Sequence, residues 1–187
     1  MPPSPAALSE LARASRRSPA VWRRRALAAL PKPVGAVVFD FDGVFTDNGV
    51  MVREDGVESA YCSRFDGMGV TLLRKAGVPI LILSKEPNPV VGARAKKLGV
   101  PCLQGIDDKV PVLRDWLAER SIEASSCIYL GNDVNDAGPL AMVGCPVVVA
   151  DAHRSVVPLA RIVLTQAGGK GAVRELCDLV LDARGKG

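Results

Sequence analysis

Histidine is almost absent from this sequence of 187 residues: His153 stands alone, which argues against a Ser-His-Asp triad or a multi-histidine metal site. No apolar stretch reaches the roughly 18 residues of a membrane-spanning helix. The first residues alternate Pro, Ala, Ser and Arg, without the continuous apolar segment of a secretory signal. Cysteine is sparse and odd in number. Cys62, Cys102, Cys127, Cys145 and Cys177 are widely spaced with no CxxC pair, so buried thiols in a reducing cytoplasm fit better than a disulfide framework or a thiolate metal site.

What is present, 48% hydrophobic and 24% charged residues, fits one globular domain with a sizeable core. The charge is uneven. Up to Pro33 there are seven Lys or Arg against one acid, a surplus of +6 in a chain of net charge +4, so the remainder carries −2. Six of the 14 prolines also lie there. Residues 1–33 therefore read as a poorly ordered basic arm with one helical stretch near Ala20 to Leu30, followed by a folded domain over residues 34–187. A basic arm can serve nucleic acid or membrane, but Trp22 is its only aromatic residue, and a solvated tail or linker is the reading preferred here.

From Gly35 onward, short Val/Ile/Leu-rich runs alternate with stretches of helical spacing, the pattern of an α/β domain with a parallel sheet. The runs are Ala36 to Phe39, Pro79 to Leu83, Cys127 to Leu130 and Pro146 to Val149. Helical spacing covers Gly67 to Ala76, Pro89 to Leu98, Lys109 to Arg120, Asp136 to Val143 and Ala172 to Leu181. One insertion interrupts the alternation. Val50 to Val52 and Val57 to Tyr61 flank Asp55-Gly56, a hairpin turn signal, which places a β-hairpin after the first strand at the carboxyl edge where such sheets bind ligands.

Asp40 and Asp42 stand where the first strand ends. Residues two apart on extended chain share a side, about 7 Å apart, so one carboxylate can be nucleophile and metal ligand while the other exchanges a proton with the leaving group. Gly43 lets the chain turn away, and Thr46 and Asp47 are placed to hold the loop. Ser84 follows the second strand, where its hydroxyl and backbone N–H suit a phosphoryl oxygen, although Ser before a helix is ordinarily a cap. Lys109 opens a helix, where the dipole does not favour a cation; neutralising a phosphate would explain it, as would a surface lysine beside two acids. Gly131-Asn132-Asp133-Val134-Asn135-Asp136 follows a third strand and offers hard oxygen ligands suited to Mg²⁺, or else an Asx-rich capping turn. Asn132 and Asp136 are the ligands placed towards the pocket.

Taken together, DFDGV, Ser84, Lys109 and GNDVND resemble the four motifs of the haloacid dehalogenase superfamily, in order and at the expected strand ends. The region from about Val34 to Leu181 is similar to its small, capless branch acting on 3-deoxy-octulosonate 8-phosphate and related nonulosonate 9-phosphates. Phe65-Asp66-Gly67-Met68-Gly69, Ala150-Asp151-Ala152-His153 and the run from Gly168 to Glu175 add to the likeness. The resemblance implies a Rossmann-like three-layer α/β/α fold without a cap, and a Mg²⁺-dependent phosphatase. Asp40 would be the nucleophile, passing through an aspartyl-phosphate, and Asp42 the acid and base. Mg²⁺ would rest on Asp40, the Asp42 carbonyl and Asn132, with Asp136 in support. Ser84 and Lys109 would hold the phosphoryl oxygens. Arg64, Asp66, Gly169 and Arg174 would bind the sugar acid, and hairpins would join into a homotetramer.

Three departures bear on substrate and metal. Ser84-Lys85-Glu86 stands where octulosonate phosphatases usually have Thr-Gly-Arg, an acid in place of a cation. Glu86 and Lys97, eleven residues or about three helical turns apart, would face the pocket together and bind a longer polyol. Asn132 stands where most relatives have Asp, and Arg64-Phe65 where they have Val-Arg. The first two departures are similar to phosphatase-like domains associated with sialic-acid cytidylyltransferases. The expected activity is hydrolysis of a 2-keto-3-deoxy sugar acid phosphate, nine-carbon ahead of eight-carbon. The alternative is a catalytically weak oligomerisation module serving a cytidylyltransferase.

Overall fold

Alternate residues of an extended chain face opposite sides of a sheet, and the apolar runs here are apolar on both sides, as strands covered by helices must be. The computed structural model describes residues 18–185, and in it each run is a buried strand. The strands are β1 (Ala36–Phe39), β4 (Ile80–Leu83), β6 (Cys127–Gly131) and β7 (Cys145–Val148), joined by the short β5 (Cys102–Leu103) and β8 (Ile162–Val163). They form one parallel sheet in the order β5-β4-β1-β6-β7-β8. β2 (Val50–Val52) and β3 (Glu58–Ala60) pair antiparallel as a separate hairpin, with Val52 opposite Glu58.

Two helix layers cover the faces. Val37, Phe39, Ile82 and Leu130 pack on one side against α2 (Arg64–Lys75), α3 (Pro89–Leu98) and α6 (Ala172–Ala183). Ala36, Val38, Leu83 and Tyr129 pack on the other against α4 (Lys109–Ala118) and α5 (Ala137–Met142). The helices begin and end where local chemistry says they should: Asn88 caps α3 through its side chain ahead of Pro89, and Gly99 ends it at φ +68°. α2 starts at Arg64, three residues before its expected start, because the Ser63 side chain accepts from the Phe65 N–H.

The N-terminal boundary needs correction. Residues 1–17 of the expected arm lie outside the described residues, but its helical stretch is α1 (Pro19–Ala29), and α1 is part of the folded body. Ala26 and Leu30 are buried in the core. Trp22 donates from its indole to the Val163 carbonyl on the edge strand β8 at 3.1 Å, and Arg23 pairs with Asp182 of α6.

Candidate active site

In a parallel sheet every strand ends at one edge, so β1, β4 and β6 deliver the segments after Phe39, Leu83 and Gly131 to one place. Asp40, Asp42, Ser84, Glu86, Asn132 and Asp133 line a cavity of about 310 Å³ there, together with Asn48 and Lys85. A smaller cavity of about 220 Å³ adjoins it under the hairpin, walled by Asp42, Glu86, Glu58, Ser59 and Asn88.

Lys109 lies behind this surface rather than on it. Its ammonium group is fully buried and donates to Asp40 Oδ1 at 2.8 Å, to Asp136 Oδ1 at 2.7 Å and, at a longer 3.3 Å, to the Tyr129 hydroxyl. All three of its donors are engaged. Tyr129 in turn donates to Asp136 Oδ1 at 2.7 Å, and Asp136 Oδ2 accepts the backbone N–H groups of Asn132 and, more distantly, Asp133. Both oxygens of Asp136 are thus committed to orienting its neighbours, and neither is open to a metal in this arrangement. Tyr129 was not among the candidate residues, although a tyrosine in a central strand must find a partner for its hydroxyl.

These contacts set the charges. Burial pushes the Asp40 carboxyl up to about 7, Asp136 adds to the rise, and Lys109 opposes it. Burial works to lower Lys109, but Asp40 and Asp136 hold it above the ordinary lysine value. Asp42 is raised by burial and by Glu86 across the cavity, with a Thr46 hydrogen bond working the other way. Thr46 also accepts the N–H of Gly43 at 3.0 Å, which closes the loop. Gly43 sits at φ +72°, and a Cβ there would lie 1.9 Å from Asn132 Nδ2, so both conformation and space require glycine.

Ser84 is buried beside Asp40, but its backbone N–H is spent on the Leu103 carbonyl at 2.9 Å, so only its hydroxyl is left to meet a phosphoryl oxygen. That hydroxyl also accepts the Glu86 N–H at 3.1 Å. Among the described residues Asn132 Oδ1 is buried with no hydrogen-bond partner, a hard oxygen donor at the cavity wall. Among the described residues no three His, Cys, Asp or Glu side chains cluster as a metal site. A divalent cation here would draw instead on Asp40, Asn132 Oδ1 and the Asp42 main chain, a set that suits a small hard ion completed by water. Among the described residues the wall is also strongly acidic, with Asp40, Asp42, Glu86 and Asp133 against Lys85 alone, and Lys85 is paired with Asp107 at 3.1 Å. A phosphate dianion needs added positive charge to enter.

The other candidates separate. Glu86 lines both cavities, but Lys97 is exposed in the last turn of α3, which carries it away from the sheet edge. Arg64 is exposed at the start of α2. Asp66 is fully buried and points at α6, accepting the Arg174 N–H at 2.9 Å, so it caps a helix whose own N-cap, Gly171, has no side chain to do so. Arg174 turns its side chain to Asp178 at 2.8 Å and lines a groove with Arg23 and Lys75. Gly169 packs behind the Asp40 loop, donating its N–H to the Val44 carbonyl at 2.9 Å. None of Arg64, Asp66, Lys97, Gly169 and Arg174 lines either cavity. His153 is exposed beside Ser155, as a lone surface histidine would be.

No family model matches the chain. Among curated proteins it is 34% identical over 151 residues to the 3-deoxy-D-manno-octulosonate 8-phosphate phosphatase KdsC of Yersinia pestis, covering 80% of this chain and 81% of that one. Among solved structures, a HAD family hydrolase from Streptomyces avermitilis is 49% identical with a TM-score of 0.80, covering 82% of this chain and 89% of that one. The Moraxella catarrhalis 3-deoxy-D-manno-octulosonate 8-phosphate phosphatase, solved with magnesium ion, phosphate ion and a KDO molecule, is 29% identical with a TM-score of 0.79, covering 87% and 91%. With the parallel sheet and hairpin in place and identity of this extent, the chain belongs to the KdsC-like phosphatase branch of the haloacid dehalogenase superfamily.

Proposed function

We propose that this phosphatase hydrolyses the phosphomonoester of a 2-keto-3-deoxy sugar acid with the help of Mg²⁺, through an aspartyl-phosphate on Asp40. The observation that carries the reading is the buried chain Tyr129–Asp136–Lys109–Asp40, which fixes one Asp40 oxygen on an ammonium group at 2.8 Å beside an open cavity. Held in this way, Asp40 has its other oxygen available to attack phosphorus. Asp42, raised by burial and Glu86, is suited to protonate the departing sugar oxygen and then to take a proton from the water that cleaves the intermediate. The Ser84 hydroxyl would donate to a phosphoryl oxygen. Lys109 acts through Asp40, offsetting the charge that builds on the phosphoryl group. Bound Mg²⁺ would supply the positive charge that the acidic wall lacks, held by Asp40, the Asp42 carbonyl and Asn132 Oδ1.

The names of the curated relatives favour the eight-carbon substrate, 3-deoxy-octulosonate 8-phosphate. Glu86 in the leaving-group cavity, where those enzymes usually carry Arg, favours a longer nonulosonate 9-phosphate. Val50, Met51 and Val52 on the hairpin are 53%, 71% and 61% exposed, which supports association of copies through the hairpins into a homotetramer. Phosphate release from both sugar acid phosphates with Mg²⁺, with Asp40→Asn as control, tests the activity. Turnover by the wild type and none by Asp40→Asn is the expected result. Equal inertness of both proteins on every substrate would leave the oligomerisation module, with or without a cytidylyltransferase partner, as the better reading.

A further inference from the structure

A two-stranded hairpin standing alone is marginally stable in water, and among the described residues β2–β3 shares no hydrogen-bonded strand with the main sheet. Association of copies would pair the hairpins with one another, but contacts within one chain must still place each hairpin over its own leaving-group cavity, whose wall it forms with Val50, Glu58, Ser59 and Ala60. One tether is visible at its tip side, where Asn88 Nδ2 donates to Glu58 Oε2 at 3.1 Å. A second lies at the root. Lys170 Nζ pairs with Asp47 Oδ2 at 2.9 Å, three residues before β2, and lies 5.6 Å from the ring centroid of Tyr61, directly after β3.

Lys170 is positioned in turn by close packing of the two glycines before it. A Cβ on Gly168 would lie 2.0 Å from the Gly43 carbonyl oxygen, and one on Gly169 would lie 2.7 Å from the Asp47 nitrogen. Gly168 also donates its N–H to Asp151 Oδ1 at 2.9 Å. The turn therefore lies flat against the loop that carries Asp40 and Asp42. From this geometry we infer that the Gly168–Lys170 turn is a brace, and that Lys170 is a positioning residue which fixes both roots of the hairpin and so sets the fit of the leaving group. Lys170 also holds the Asp47 carboxyl below its usual range, as a formed ion pair does. Lys170 lines neither cavity, so it acts through the hairpin and not on the phosphoryl group.

The activity arm of the test rests on the proposed phosphatase reading, and the structural arm does not. In the full-length chain, Lys170→Met should speed hydrogen exchange of the backbone amides from Asp47 to Tyr61 while leaving those of α4 unchanged. It should raise KM for the sugar acid phosphate roughly three- to tenfold with kcat little changed, the scale of one half-exposed ion pair and one cation–π contact. Hydrolysis of p-nitrophenyl phosphate, whose leaving group carries none of the hydroxyl and carboxylate groups of the sugar acid to the hairpin wall, should be affected much less, and Lys170→Arg should restore both exchange and KM. Unchanged exchange over the hairpin overturns the inference, and so does an equal loss on both substrates. Should the wild type hydrolyse neither ester, the proposed function fails while the exchange measurement still decides for or against the brace.

Discussion

Replacing Lys109 by Met keeps the length of the side chain and removes the one charge that Asp40 and Asp136 share. Both carboxylates are nearly or fully buried, at 3% and 0% exposure, so neither can turn to solvent for compensation. Breaking a buried ion pair by removing one partner costs about 3–5 kcal/mol, because the remaining charge is left without compensation. The cost depends on pH. Asp40 is raised from 3.8 to about 7, so the folded protein holds its proton more tightly than the unfolded chain, and the stability this contributes is present at low pH and lost as pH rises from about 4 through about 7. Without Lys109, Asp40 rises further. In chelator, the urea midpoint of Lys109→Met should therefore lie below wild type at both pH 5 and pH 8, with the larger deficit near pH 8, where Asp40 ionises. Adding Asp136→Asn should recover about 1 kcal/mol or more near pH 8, since one of the two unpaired charges is then gone. With Mg²⁺ present, phosphate release by Lys109→Met should drop by roughly 10²-fold or more. An unchanged midpoint at pH 8, or no recovery in the double variant, would refute the claim that Lys109 is the counter-charge of the site.

Asn132→Asp places a full negative charge where an unpartnered amide oxygen now sits, and the Mg²⁺ concentration for half-maximal activity should fall roughly tenfold; no shift would remove Asn132 from the metal. Asp66→Ala deletes the acceptor at the start of α6 and should lower stability by about 1–2 kcal/mol, whereas Asp66→Asn, which keeps a carbonyl oxygen, should cost less. Neither Asp66 variant should alter KM, and a raised KM with unchanged stability would return Asp66 to the substrate.

The strand ends were legible because hydrophobic runs and the loops that follow them are local in the sequence. Asp40, Asp42, Ser84, Lys109, Asn132 and Asp136 are therefore assigned to one edge by the sequence alone. What could not be read is how distant segments share hydrogen bonds. Asp66 and Arg174 carry matching motif residues, yet their contact joins a carboxylate to a helix N-terminus 108 positions later, which no spacing announces. Lys97 lies away from the cavity for a geometric reason. A crossover helix runs back from the edge where its strand ended, so only its first turn faces the site, and a residue three turns on is about 16 Å away. The sequence places Lys109 against a phosphate or at the surface, and Asp136 beside a metal; that the two pair with each other and with Asp40 in the interior is a long-range contact that no local pattern announces.

The indole of Trp22 lying on β8 has a consequence for where this chain can be shortened. The outer side of β8 is an edge of the sheet, and an uncovered edge is a template for pairing with another chain. Removing residues up to Pro33, the cut that charge and proline content invite, would strip α1 from that edge, uncover the Val163 carbonyl and open the core around Ala26 and Leu30. The shortened chain would keep every residue of the catalytic cavity and yet be prone to aggregate, so loss of soluble protein on such a trim would reflect an unguarded edge strand rather than any part in catalysis.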